Sequence, residues 1–173
     1  MKFQLQMSVL ALLLLSACNS NIDKETSYIK SFYGNVTPQL KLDSLPANAD
    51  SALWNFAQNN PKNPKSDTFA YQAIQIKIAR NMTLQAAKWA ETYLNTFNKS
   101  KNHRIDLYVM AAHYYEQHEV FDRALDLYKK FISEFPEHEI APQARQMIEF
   151  IEKGLTTPEQ QLEYLINKKQ PQS

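Results

Sequence analysis

The sequence predicts an all-α fold built from helix pairs stacked on one another. Three observations predict it. One apolar pattern recurs with a period of 37 to 38 residues, the signature of stacked supersecondary units. Glycine is nearly absent, at Gly34 and Gly154 only, so tight hairpins and phosphate-cradling loops lack the residue they lean on. The eight prolines, at 38, 46, 61, 64, 136, 142, 158 and 171, all fall outside stretches with helical periodicity. They punctuate helices rather than break them.

The first element is not part of the fold. Lys2 is followed by Met7 to Leu15, a nine-residue run with Ser8 as its single polar member. A run this short cannot span hydrocarbon, which needs about 20 residues, but it fits the apolar region of a signal peptide. Leu15-Ser16-Ala17-Cys18 resembles the lipobox of bacterial lipoproteins at all four positions. The resemblance implies a signal peptide over residues 1–17 and a Cys18 that becomes the first residue, acylated on sulfur and amine. It implies a lipid-anchored envelope protein, and Asn19 rather than aspartate after the cysteine implies the outer membrane. Several acyl chains hold stably at ~0.8 kcal/mol per buried CH₂. Residues 18–46 read as a tether. Cys18 is the one cysteine, so no intramolecular disulfide can support the fold.

The repeat domain follows over residues 47–168. Its clearest helix is Phe121 to Phe135, with apolar residues at 121, 124, 125, 128, 131, 132 and 135 and charged residues opposite. Stepping back by the period places Tyr93 over Phe131, Leu94 over Ile132 and Phe97 over Phe135, then Phe56 over Tyr93. Ala49, Ala86 and Ala124 recur in the same register. Between the second and third of these helices, Tyr108, Ala111, Ala112 and Tyr115 form another helical stripe, so the unit is helix, turn, helix. The Asn48 to Asn60 helix lacks a good upstream partner and reads as a half-repeat. Downstream, Ala144, Met147, Ile148 and Ile151 predict a helix ended at Gly154. Thr157, Pro158 and Gln160 predict a capping box. The helix it opens turns Leu162, Leu165 and Ile166 to one side and is expected to cap the stack. Residues 169–173 read as a disordered tail.

Tyr108, Ala111, Ala112, Tyr115, Glu119, Phe121, Ala124, Tyr128, Phe131 and Pro136 resemble the tetratricopeptide repeat, with Glu119 standing where glycine is usual. The Asp67–Phe97 unit resembles it through Ala70, Ile74, Asn81, Ala86 and Tyr93. The resemblance implies a right-handed stack of antiparallel helix pairs. Longer linkers such as "FPEHEIAPQA" are similar to those of the helper lipoproteins of β-barrel assembly and of Tol-Pal-associated coordinators. By position, the resemblance implies a concave partner-binding groove from Thr68, Tyr71 and Gln75 on one helix and Asp106, Val109, His113, Glu116 and Gln117 on another.

Charge and chemistry narrow the function classes. The 19 basic and 18 acidic residues balance once Lys2 is removed, which argues against nucleic acid as a partner. His113 and His118 are five apart and point to different faces, so they do not pair on a metal. No metal, cofactor or catalytic residue is expected. Asp122 and Asp126 flank Arg123 and Lys130 on a solvated face. An enzyme would need a buried polar cluster that the sequence does not show. The expected function is an envelope scaffold that binds another envelope protein, with outer-membrane protein assembly as its setting. The alternative is an anchored binder of a glycan or other soluble ligand.

Overall fold

The computed structural model describes residues 22–32, 44–98, 100–101 and 103–169. Among these the chain is all helical, with no strand. Cys18 with its lipobox, and residues 170–173, lie outside the described residues. In chain order the helices are α1 (22–32), α2 (Ala49–Asn59), α3 (Ser66–Ala79), α4 (Thr83–Thr96), α5 (Arg104–Gln117), α6 (Phe121–Glu134), α7 (Ala141–Glu152) and α8 (Pro158–Lys169). None is long and apolar enough to cross a membrane. The chain divides into two compact units, with the boundary in sequence between Met82 and Thr83.

The N-terminal unit is built on α2 packed against α3. Phe56 and Phe69 meet edge to face at 5.3 Å, and Leu53, Ala57, Ala70 and Ala73 are fully buried. Part of the span expected to be a tether is folded. Ile29 and Phe32 of α1 are buried, and the Tyr28 hydroxyl donates to Asn48 Oδ1 at 2.7 Å. In the C-terminal unit α4, α5, α6 and α7 pack each on the next. Tyr93, Leu107, Leu127 and Phe131 are its largest fully buried side chains.

The period read from the sequence recurs in the backbone. Helices α3, α5 and α7 end in one motif. Asn81, Glu119 and Gly154 take the left-handed conformation, at φ 59°, 58° and 70°. Their N–H groups reach the carbonyls of Ile78, Glu116 and Ile151, while Met82, Val120 and Leu155 reach back to Lys77, Tyr115 and Phe150. This double return satisfies carbonyls that a helix end leaves open. Glu119 therefore does what glycine does at the matching turn after α7, at a backbone cost that a residue with a Cβ incurs. The ends of α2, α4 and α6 also match: Asn63, Ser100 and His138 donate to Asn60, Phe97 and Phe135.

Side-chain burial follows the same register. Ala49, Ala86 and Ala124 are each 0% exposed, and Phe56, Tyr93 and Phe131 are buried at the positions that align with one another. Alanine at these points lets neighbouring helices approach closely. Ala124→Leu is expected to overpack the α5–α6 contact and cost about 1–2 kcal/mol. A thermal melt checks this, and an unchanged midpoint would mean that the site has room. The stripe on α6 is rotated from the predicted one. Leu127 is buried while Leu125 and Ile132 are half-buried, because α5 and α7 cover α6 from two directions.

The capping box forms as expected. Gln160 N–H donates to Thr157 Oγ1 at 3.3 Å, and Gln160 Oε1 accepts from the Thr156 and Thr157 N–H groups. Of the three apolar residues that the spacing puts on one side of α8, Leu162 and Ile166 are 60% and 51% exposed, and Leu165 is half-buried. Gln161, Tyr164 and Lys168 take the α7 side instead. Tyr164 stacks edge to face on Phe150 at 6.2 Å and donates to Glu149, and Lys168 Nζ pairs with Glu149 at 2.8 Å.

Candidate functional site

Helix α5 carries five of the eight residues expected in the groove. Its inner face is fixed by Leu107, Tyr108, Ala111, Ala112 and Tyr115, all buried. Its N-terminus is locked by Arg104, which is 5% exposed. The guanidinium donates to Glu134 of α6 at 2.6–3.0 Å, to the Leu94 carbonyl at 2.9 Å and to the Tyr108 hydroxyl at 3.0 Å. Burial alone would push the Glu134 carboxyl up. The hydrogen bonds from Arg104 and Tyr108 outweigh it and hold the carboxyl below its usual range. At its C-terminus, the Tyr115 hydroxyl donates to Glu91 of α4 at 2.9 Å, and Arg123 of α6 bonds the other oxygen of Glu91 at 2.8 Å.

With α5 held at both ends, its outward face borders an open depression of about 360 Å³. The lining is Ile105, Asp106, Val109, Met110, His113 and Tyr114, with Ile140 contributed by the start of α7. Asp106, Val109 and His113 were expected from the repeat resemblance. Ile105, Met110, Tyr114 and Ile140 were not, and they supply most of the apolar floor. Asp106 is exposed and makes no ion pair among the described residues. The depression thus offers an apolar surface with one free carboxylate at its rim and a histidine further along.

Glu116 and Gln117 do not line it. Gln117 Nε2 lies 3.0 Å from His113 Nε2. The Glu116 side chain is only 15% exposed and turns toward α6. Its Oε1 is buried without a hydrogen-bond partner, and His113 Nδ1 stands 3.9 Å from Oε2. Burial pushes the carboxyl up to about 7, against a smaller downward pull from the Tyr128 hydroxyl.

Thr68, Tyr71 and Gln75 lie on α3 in the N-terminal unit. Thr68 is exposed beside a small cavity with Ile29 and Lys30 of α1, and Tyr71 and Gln75 are half-buried. That unit also holds a buried ionic cluster. Asp50 of α2 pairs with Lys77 Nζ at 2.8 Å and with Arg80 Nη1 at 3.0 Å, both from α3. Buried polar clusters are therefore present where the sequence showed none. In those around Asp50 and Arg104, the charges answer one another.

Among the described residues, no three histidine, cysteine or acidic side chains are grouped to hold a metal ion. His118 Nε2 lies 2.9 Å from Thr83 Oγ1, and His138 Nδ1 accepts the Ile140 N–H. Trp54 is buried and Trp89 half-buried. In comparisons with known proteins, no family model, curated protein or solved structure matches this chain.

Proposed function

We propose that this chain is a lipid-anchored scaffold of the bacterial cell envelope, held through Cys18 at the outer membrane, whose helical repeats bind a segment of another envelope protein. The observation that carries the reading is the α5 depression: an apolar floor, open to solvent, with an unpaired carboxylate at its edge. Such a surface suits an apolar anchor side chain flanked by a basic group, attracted only locally because charge acts over ~8 Å at physiological salt. The matching turns after α3, α5 and α7 support the finer architecture, a right-handed stack of antiparallel helix pairs similar to tetratricopeptide repeats. Tyr28 is the one aromatic side chain that stands exposed among the described residues, which favours a protein segment over a glycan, since glycan sites want clustered exposed aromatics.

Two variants test the reading. Cys18→Ser is expected to move the protein from the membrane pellet to the soluble fraction after a high-salt wash. Asp106→Lys with Val109→Glu is expected to leave melting nearly unchanged, because both side chains face solvent at least in part. It should also abolish the adduct formed in cells by a photo-crosslinking residue in place of Met110. Retention of the Cys18→Ser protein in the pellet would refute the anchor. An adduct that survives the double change would refute the depression as the binding surface.

A further inference from the structure

The first helix begins close behind the proposed anchor. Three residues, 19–21, separate Cys18 from the start of α1 at residue 22. Four Cα steps of at most ~3.6 Å limit that link to about 14 Å. A tether running on to residue 46 would have reached about 100 Å. Helix α1 belongs to the N-terminal unit rather than leading to it. Ile29 and Phe32 are 1% and 3% exposed, and the Tyr28 hydroxyl is bonded to Asn48 beside the start of α2. Acyl chains at Cys18 therefore keep the start of α1 within about 14 Å of the bilayer surface, and the unit packed on α1 is kept there with it.

One side of α1 suits that surface. Thr26, Ile29 and Lys30 face Lys65, Thr68 and Phe69 at the start of α3 across a cleft of about 150 Å³. Ile29 and Phe69 form its buried apolar floor. Lys30 and Lys65 stand exposed at its mouth, and Lys62 is exposed in the turn before α3. None of the three makes an ion pair among the described residues. Asp23 is exposed on one stripe with Ser27 and Lys30, at i, i+4 and i+7, while Asp67 at the start of α3 is half-buried. Exposed cations thus outnumber exposed carboxylates on this side. Attraction of lysine to anionic lipid fades within a Debye length of ~8 Å, so it counts only on a face held close. Lys30 lies about 12 Å along α1 from residue 22, at 1.5 Å per residue. A helix lying along the surface therefore brings it into range. So short a link also keeps the effective concentration high, and weak contacts suffice.

We infer that the N-terminal unit docks on the bilayer that holds Cys18, with its α1–α3 cleft turned to anionic phospholipid headgroups through Lys30, Lys62 and Lys65. The inference rests on the lipid anchor of the proposed function and is separate from the α5 depression.

The test uses the mature lipidated chain in vesicles of phosphatidylethanolamine and phosphatidylglycerol, with a fluorophore on Ser27→Cys. Cys18 is the one native cysteine and is acylated, so the label goes to residue 27 alone. Lipids carrying a nitroxide at the headgroup are expected to quench it strongly. Quenching should fall severalfold in Lys30→Glu with Lys65→Glu, and likewise when phosphatidylcholine replaces phosphatidylglycerol. Both lysines are exposed, so the variant should melt like the parent. Every chain should float with the vesicles through its anchor. A chain that floats with its label unquenched, or quenched alike in the charge variant, would overturn the docking and leave the anchor standing. Quenching that survives in phosphatidylcholine would overturn anionic lipid as the partner. A chain that does not float would overturn the anchor, and the docking with it.

Discussion

Asp50→Ala is expected to remove about 3–5 kcal/mol from the stability of the N-terminal unit, a large share of the 5–15 kcal/mol that holds a typical domain. The reason is the charge left behind. Asp50 sits in the first turn of α2, its side chain 4% exposed, with Lys77 at 9%. Lys77 Nζ lies 2.8 Å from one carboxylate oxygen and Arg80 Nη1 3.0 Å from the other, which also accepts the Ser51 N–H at 2.8 Å. Arg80 is 21% exposed and keeps its bonds to the Pro46 and Ala47 carbonyls, so it tolerates the loss. Lys77, whose side chain is 9% exposed, loses the carboxylate that offsets the burial of its charge. Removing the charge as well, in Asp50→Ala with Lys77→Met, should return a good part of the stability. If the double variant unfolds as readily as the single one, the cost is not that of a stranded ammonium. The pH dependence has a definite sign. Burial alone would push the Asp50 carboxyl up, but the Lys77 hydrogen bond, the Ser51 N–H and the two cations outweigh it and hold the carboxyl low. A lowered folded pKa stabilises above the unfolded value near 3.8 and is lost as pH falls through the folded value. Acid melts of the parent should show this loss, and those of Asp50→Ala should lack it.

Features that rest on local periodicity were legible in the sequence. The helices other than α1 and α3, the recurring alanines and the turn residues Asn81 and Glu119 follow from spacing along one chain segment. Helix α3 shows where that ends. It buries Phe69, Ala70, Gln72, Ala73, Ile74, Ile76 and Lys77, a face of about 200° at 3.6 residues per turn that takes in polar Gln72 and Lys77, while apolar Tyr71 and Ile78 lie half-buried on the other side, so its apolar residues make no single stripe to find. The ionic clusters were missed for a related reason. Asp50 in a first turn reads as a dipole partner and Lys77 in a last turn as a solvated charge. Only the packing of α2 on α3 makes them a buried pair across 27 positions. The candidate site divides the same way. Asp106, Val109 and His113 lie on one predicted stripe. Ile140, from a connector beyond α6, joins them through the fold alone. On α8 the apolar residues were found, but not that Tyr164, with its hydroxyl on Glu149, takes the α7 face and leaves Leu162 and Ile166 exposed.

Glu116 is where spacing and packing disagree most, and it carries the second large effect. Helical arithmetic places it on the outward stripe with Asp106. In the structure its carboxylate is mostly buried, with Oε1 unpartnered, Tyr128 of α6 facing it and His113 Nδ1 3.9 Å away on its own helix. Burial raises the folded pKa from 4.5 to about 7. Between those values the folded chain holds a proton that the unfolded chain has released, so stability falls as pH rises through the window. Above it the full penalty remains. Glu116→Gln keeps the shape and carries no charge at any pH. It is expected to stabilise the C-terminal unit by about 2–3 kcal/mol at pH 8 and by almost nothing near pH 4.5. The figure is set below the full shift because part of the side chain still meets solvent. Melting curves of parent and variant at the two pH values check it. The variant's midpoint should be nearly flat across the window while the parent's declines. A variant that melts lower than the parent at pH 8, or by the same margin at both pH values, would mean that the Glu116 carboxylate is solvated in the folded chain.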